Sequence, residues 1–502
     1  MVQAVISAYM RRRLKRLTEM QARPEAIQQE WFHNLLHTAN HTAFGQQYGF
    51  QQIRSMAEYQ DRVPVTSYEA FYPWIEQALA GKADVLWPGK VAWFAKSSGT
   101  TNDKSKYIPI TADSLEDCHY RAGKDLFAQY FENVPGSRML KGKNLVIGGS
   151  HEVVRMQSDR HAGDLSAVLI ENLPMFYAHY RTPDKSITLM GEWEAKLDAI
   201  SKAVIHAPVT SMTGVPTWLL VLFERLFEMR GMQDKNLLEI WPDLEVFFHG
   251  AVAFGPYREQ FKKLIPSSRM QYMETYNASE GFFAFQDELG SEDLLLLLDH
   301  GIVYEFIPMD QAEDPFPRSL TIGEVSLGVQ YAIVISTNGG LWRYRVGDTV
   351  KFTSLQPYRI RITGRTKHFI NAFGEELIIE NAEQGLLSAC AETGAVIKDY
   401  TAGPVYASDT QKGGHAWVIE FEVMPSDTRH FMQVLDTRMQ ALNSDYAAKR
   451  YHDMAMVFPE LHVAKPGAFY TWMKQRDKLG GQHKVPRLSN DRTYIEQLLA
   501  QA

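Results

Sequence analysis

The chain is poor in cysteine, in long apolar runs and in surplus positive charge. Two cysteines, Cys118 and Cys390, among 502 residues cannot build a disulfide framework or a thiolate metal site. The longest apolar stretches, such as Trp218–Phe223 and Leu294–Leu298, fall far short of the ~20 residues a membrane span needs. The N-terminus has no continuous apolar segment followed by a small-residue cleavage site, so no secretory signal is expected. Fifty-two Lys and Arg against 59 Asp and Glu give a net charge of −7, the wrong sign for a general nucleic-acid binder. Repeats and low-complexity segments are also missing. What remains, 45% hydrophobic and 22% charged, is ordinary globular composition and excludes disorder, collagen and coiled coil. One core rarely grows past ~250–300 residues, so two domains, or one large and one small, are expected. The expectation is a soluble, cytoplasmic protein large enough to be an enzyme.

One charge run stands out, Arg11-Arg12-Arg13-Leu14-Lys15-Arg16. A basic amphipathic helix can lie on an anionic membrane. Five charges with few bulky apolar partners make a poor anchor, which favours a solvated face of a helix docked on the domain.

Helix and strand patterns alternate over the first 350 or so residues. Apolar spacing of three and four predicts helices over Ala26–Ala39, Ser114–Phe131, Trp193–Ile205 and Pro216–Met229, the second capped from Thr111 and Asp113. Asn144–Gly148, Leu244–Phe248, Met270–Thr275 and Phe282–Phe285 read as strands of a mostly parallel sheet. From about 293 short strand-like pieces follow, Leu294–Leu298, Val303–Ile307, Gly323–Ser326, Ala332–Thr337 and Leu341–Tyr344, a meander that predicts a partly antiparallel or barrel-like unit. After Gly364 a smaller α/β unit begins, with helices over Glu380–Glu392 and Thr428–Leu442 and strands at Trp417–Val423 and Leu461–Val463. The boundary falls near Tyr358–Arg365, giving domains over 1–360 and 361–502.

Four strings carry chemistry. Ser97-Ser98-Gly99-Thr100-Thr101-Asn102-Asp103-Lys104-Ser105-Lys106 has the hydroxyls, glycine and lysines of an anion cradle, set between strand-like flanks. It is not a Walker A loop, because Asp103 stands where that motif's second glycine belongs. Tyr276-Asn277-Ala278-Ser279-Glu280-Gly281 follows a strand, where Tyr276 suits a base and Glu280 suits Mg²⁺. Trp342-Arg343-Tyr344-Arg345-Val346-Gly347-Asp348 closes another strand, and its Asp348 carboxylate suits ribose hydroxyls. Gly364-Arg365-Thr366-Lys367-His368-Phe369-Ile370-Asn371-Ala372-Phe373-Gly374-Glu375-Glu376 lies at the domain boundary, where a basic residue reaches a phosphate or ribose in one domain arrangement and leaves in another. Taken singly, the strings also read as a solvent loop, a strand-end turn with an exposed glutamate, a surface ion pair and a basic linker turn.

Their order and spacing resemble the adenylate-forming superfamily of acyl-CoA synthetases, adenylation domains and luciferases. More narrowly the chain resembles the Gretchen Hagen (auxin-responsive) family of acyl acid amido synthetases, in a bacterial-type form. Ser-Ser-Gly-Thr-Thr-x-Gly-x-x-Lys of that family corresponds to Ser97 through Lys106, with Asp103 replacing the glycine. Tyr-x-x-Ser-Glu corresponds to Tyr276–Glu280, and Tyr-Arg-x-Gly-Asp to Tyr344–Asp348. Phe44-Gly45, Tyr48-Gly49-Phe50 and Val63-Pro64-Val65 resemble the approach to the loop. Gly214-Val215-Pro216-Thr217 resembles the start of the acyl-pocket helix, with Trp218 beside it, and His249-Gly250-Ala251 the segment along the adenine. Gly467-Ala468-Phe469 and Gln482-His483-Lys484-Val485-Pro486-Arg487 resemble the closing motifs, with His483 in place of a tyrosine. The likeness runs over roughly 23–490.

The resemblance implies a luciferase-like α/β fold, a large N-terminal domain with a mobile small one, and use of ATP and Mg²⁺. It implies phosphate contacts from Ser97, Ser98, Gly99, Thr100, Thr101 and Lys106. Tyr276, Gly250 and Ala251 would meet adenine, Asp348 the ribose, Glu280 the metal, and Val215, Thr217 and Trp218 the acid. Arg365 and Lys484 would act from the small domain. The implied reaction makes an acyl-adenylate from a small carboxylic acid and transfers the acyl group to an amine, with an amino acid as the expected acceptor. An acyl-CoA ligase and a non-catalytic nucleotide-binding homologue remain as alternatives. His151, Glu152 and His161 lack metal-ligand spacing, and the two cysteines read as structural.

Overall fold

A computed structural model describes residues 2–97, 106–147, 154–156, 159–191, 193–250, 254–312, 314, 317–365, 369–370, 375, 377–405, 413–443, 446–447, 450, 456–476, 485–489 and 492–500. Its contacts divide the chain into two units, 1–251 with 268–362, and 252–267 with 363–502.

The first unit opens with helices over Val2–Ala22 and Pro24–Ala39. The basic run faces two ways. Arg11 and Arg12 are exposed, whereas Arg13 is buried against Asp125, with Nε 2.5 Å from Oδ1. Asp125 in turn meets His300 Nε2 at 2.9 Å. A buried ion pair at this position docks the helix on the domain. No helix among the described residues is long and apolar enough to cross a membrane.

Strands follow in the order β1 (Trp93–Ser97), β2 (Lys106–Ile110), β3 (Lys143–Val146), β4 (Val154–Arg155), β5 (His161–Gly163), β6 (Arg181–Thr182), β7 (Val209–Gly214), β8 (Val246–Gly250) and β9 (Gln271–Ala278). Then come β10 (Gly281–Phe285), β11 (Leu294–Leu296), β12 (Ile302–Pro308), β13 (Gln330–Thr337), β14 (Tyr344–Leu355) and β15 (Tyr358–Arg365). Among the described residues, β2-β1-β5-β4 form a small sheet and the others one eleven-stranded sheet, ordered β12-β13-β14-β15-β11-β10-β9-β8-β7-β3-β6. Strands β6, β3, β7, β8 and β9 run parallel. Beyond β9 the pairings with β10 and β11 are antiparallel. The expected mostly parallel sheet is thus present up to β9, and β10 alone of the strands expected in it reverses direction. A two-residue turn at Ser279-Glu280 folds β10 straight back, and no crossover helix fits in so short a connection.

The expected meander is present as β12–β13–β14, with both pairings antiparallel. Gly323–Ser326, expected as a strand, is instead a short 3-10 turn over Ile322–Glu324, closed by a capping box between Thr321 and Glu324. Tyr59, Phe71, Phe94, Phe283, Tyr304 and Trp342 are fully buried in one large core.

The helix expected from Ser114 is present with a change of winding. Residues Ser114–Tyr120 form a π-helical stretch, continued by an α-helix over Arg121–Asn133. Thr111 Oγ1 accepts from Ser114 N at 3.0 Å, the expected cap, while Asp113 accepts from Trp87 Nε1 at 2.7 Å instead.

The second unit has β16 (Phe369–Ile370), β17 (Leu377–Ile378), β18 (Val396–Val405), β19 (Gly414–Val423) and β20 (Glu460–Val463). β18 and β19 pair antiparallel, and β19 and β20 parallel. Helices over Ile379–Thr393 and Thr428–Leu442 share a core with Trp417 and Ile419. The unit also takes in 252–267, which carries the helix Arg258–Leu264.

Candidate active site

Three parallel strands end together. Val146 of β3 pairs Thr213, Gly214 of β7 pairs His249, and Gly250 of β8 pairs Thr275. Open α/β sheets bind ligands beyond such carboxyl ends. Gly250 must be glycine here, because a Cβ would sit 2.5 Å from Thr275 O. Next to this edge stands Tyr276, and Ala251 lies outside the described residues. Val215 caps the helix Pro216–Arg230 where β7 ends, and Trp218 is half-buried on that helix. The side chain of Thr217 is outside the described set.

Tyr276 lies within β9 rather than after it, because the strand runs on to Ala278 in register with β10. The Tyr276 side chain is buried at 6% exposure, and its ring meets Phe283 edge-on at 4.8 Å. Asp348 likewise lies inside β14, not at a strand end. Pairing of β13 with β14 jumps from Val334↔Arg345 to Ala332↔Thr349, so Val346, Gly347 and Asp348 bulge opposite Ile333. Gly347 supplies the positive φ, 91°, that such a bulge needs. The bulge aims Asp348 inward, where its Oδ2 accepts from the Tyr276 hydroxyl at 2.7 Å. Glu280 sits half-buried in the β9–β10 turn. Among the described residues no three His, Cys, Asp or Glu side chains form a metal cluster.

The phosphate-loop string straddles a hairpin stem. β1 and β2 pair antiparallel with Ser97 opposite Lys106. The tip, with Ser98, Gly99, Thr100, Thr101 and Asp103, lies outside the described residues, as does the Ser97 side chain. Lys106 opens β2, its Nζ 5.4 Å from the centre of the Tyr68 ring. Arg365 ends β15 with its side chain undescribed, and Lys484, His151 and Glu152 fall outside the described residues. Val485–Ser489 is described and lies along β18, with Ala402 N donating to Arg487 O at 2.9 Å.

Two residues near the site gave no signal in the sequence. Tyr68, in the first turn of an apolar helix, reads as core. His119 lies in the π-helical stretch with Nδ1 3.2 Å from Asn277 Oδ1, directly beside Tyr276. Burial lowers its pKa to about 4, so the ring is neutral near pH 7. Neither cysteine is a nucleophile. Cys118 is buried with its Sγ accepting from Phe282 N at 3.2 Å, and desolvation pushes its thiol up to about 12. Burial lifts Cys390 to about 12 as well.

Comparison with known proteins gives the family. The GH3 family N-terminal domain matches residues 13–270, its central domain 295–365 and its C-terminal domain 380–493. The chain belongs to the GH3 family. Indole-3-acetic acid-amido synthetase GH3.8 of Oryza sativa subsp. indica is 23% identical, across 95% of this chain and 90% of its own. Jasmonoyl–L-amino acid synthetase JAR4 of Nicotiana attenuata is 22% identical, across 65% of this chain and 66% of its own. Among solved structures, the GH3.15 acyl acid amido synthetase in complex with 2,4-DB superposes with a TM-score of 0.83 at 15% identity, covering 99% of this chain and 96% of that one. A 2-hydroxyisobutyryl-CoA ligase in the postadenylation state superposes with a TM-score of 0.61 at 13% identity, covering 96% and 93%. The fold is that of adenylate-forming ligases, and the GH3 protein is an ATP-dependent acid–amido ligase.

Proposed function

We propose that the protein joins a small carboxylic acid, of the aromatic or jasmonate-like kind its relatives are named for, to an amino acid through an acyl-adenylate. The observation that carries the site reading is the Tyr276–Asp348 pair at the carboxyl edge of the parallel strands. A carboxylate held in place by a phenol beside strand ends has the acceptor chemistry that ribose hydroxyls need. Gly250 and the Tyr276 ring border the place for adenine, while Lys106 and the hydroxyls of Ser97, Ser98, Thr100 and Thr101 hold phosphates.

In the first step an acid oxygen attacks the α-phosphorus and the bond to the bridging oxygen breaks, releasing pyrophosphate. In the second, an amine nitrogen attacks the acyl carbon, the acyl–phosphate bond breaks with AMP leaving, and the amine loses its proton. The chain's task is to align two anions and offset their repulsion. Lys106 supplies countercharge in the large domain. Lys484 and Arg365 supply it from the small domain, taken as 361–502. Mg²⁺ bound at Glu280 would neutralise phosphate charge. Glu280 would hold that ion together with the nucleotide phosphates. Val215, Thr217 and Trp218 border the acid.

Incubation with ATP, Mg²⁺, hydroxylamine and a panel of acids including indole-3-acetic acid, jasmonic acid and 2,4-DB should yield hydroxamates. A folded protein that gives neither hydroxamate nor pyrophosphate exchange across the panel would sink the reading. Acceptance of coenzyme A rather than amino acids would move it to the acyl-CoA ligases.

A further inference from the structure

The segment 60–68 ties the strand of Asp348 to the strand of Lys106. Thr66 bridges β14, its amide donating to Arg343 O at 3.0 Å and its carbonyl accepting from Arg345 N at 2.9 Å. Upstream, the Arg343 guanidinium donates to Val63 O at 2.6 Å and Gln60 O at 2.8 Å. Glu305 holds that guanidinium from the other side, with Oε2 3.0 Å from Nε. The segment is thus fixed on β14. Two residues beyond Thr66, Tyr68 opens the helix Tyr68–Leu79 and meets β2 in two ways. Its phenol oxygen accepts from Tyr107 N at 2.9 Å, and its ring faces the Lys106 ammonium at 5.4 Å. Burial raises the phenol pKa to about 12, so it stays neutral.

We propose that Tyr68 is a positioning residue for the phosphate-binding lysine, pinning the start of β2 through its hydroxyl and holding the Lys106 ammonium over its ring. The proposal rests on Lys106 as a phosphate ligand. An ammonium within about 6 Å of an aromatic centre is attracted by the ring quadrupole. A lysine restrained before nucleotide arrives has less rotamer freedom left to lose on binding. The hydroxyl contact sets the backbone from which the side chain departs. Both contacts come from one residue, anchored to the strand that carries the ribose-binding carboxylate.

Calorimetry on the full chain with Mg²⁺ and α,β-methylene-ATP, and separately with adenosine, tests this without knowledge of the acid. Tyr68→Leu should weaken the phosphate-bearing analogue about 3- to 10-fold and leave adenosine unmoved. Tyr68→Phe, which keeps the ring but loses the hydroxyl bond to Tyr107, should recover part of the loss. In a Lys106→Met background, Tyr68→Leu should add almost nothing. Equal weakening of both ligands would mean general loosening and overturn the proposal. So would an unchanged analogue affinity in Tyr68→Leu while Lys106→Met weakens it. An unaltered Lys106→Met would remove the phosphate reading itself and the proposal with it. If Tyr68→Leu fails to fold, fluorinated phenylalanines at position 68 decide. Affinity should fall stepwise as fluorine drains the ring, and a flat series refutes the role.

Discussion

Two ends of one short string behave differently. Arg343 is buried in the left-handed region at φ 43° and paired with Glu305, which is 1% exposed. It also donates to Ser319 Oγ and to two backbone carbonyls, so nearly all its donors face protein. Asp348, five residues later, rides on a bulge and meets a phenol at the edge of the parallel strands. Both are buried charged residues of one motif. A guanidinium surrounded by fixed acceptors holds chain segments together. A carboxylate oriented by a phenol and set beside strand ends suits an incoming hydroxyl. The partner, not the motif, separates scaffold from site.

Breaking each end should give opposite signatures. Arg343→Met leaves Glu305 buried without its cation, a loss of about 3–5 kcal/mol for such a pair. Thermal unfolding should show a large drop; a Tm near wild type would contradict the scaffold role. His119 is next. Its folded pKa of about 4 lies below the unfolded ~6.5. The unfolded chain therefore binds the extra proton between those values. Stability is fully present above about 6.5 and falls as pH drops through about 4, by up to about 3 kcal/mol. His119→Gln, which retains an N–H for Asn277, should flatten that acid limb in melts taken from pH 7 to 4. An unchanged limb would show that another group drives it.

Smaller effects belong to the site end. Asp348→Ala should weaken ATP by about 1.5–3 kcal/mol, the range for hydrogen bonds to a charged group, with Tm near wild type. Calorimetric Kd and a melting curve on the same sample check both halves. Weakened binding only in step with unfolding would merge the two ends of the motif. Smallest is Tyr276→Phe, which removes one hydroxyl and keeps the ring. Nucleotide should weaken by about 0.5–1.5 kcal/mol, and less still in an Asp348→Ala background. Full additivity would show that Tyr276 does not act through Asp348.

The sequence by itself determined the local elements and the chemistry of the strings. Helical periodicity sufficed for Pro24–Ala39, Pro216–Arg230 and Thr428–Leu442 because each shows one apolar face to a core. Ordered motifs were enough to expect an adenylate-forming fold and the amido synthetase family. β18, in contrast, was not foreseen. Its Thr401-Ala402-Gly403-Pro404 run looks like a turn, yet nearly every residue pairs with β19, so tertiary pairing overrode weak strand propensity. Nor did the sequence reading attach 252–267 to the C-terminal residues, a link made by Arg487 donating to Tyr257 Oη at 3.0 Å.

The decisive contact was also out of local reach. Tyr276 and Asp348 lie four strand steps apart in the sheet order, roughly 19 Å if the sheet were flat. They meet at 2.7 Å because the sheet coils between β9 and β14 and the Gly347 bulge turns the carboxylate into the coil. Sequence supplies a tyrosine, a glycine and an aspartate. Sheet curvature and a shift in strand register are sums over many residues, and only the folded chain decides which side chains they bring face to face.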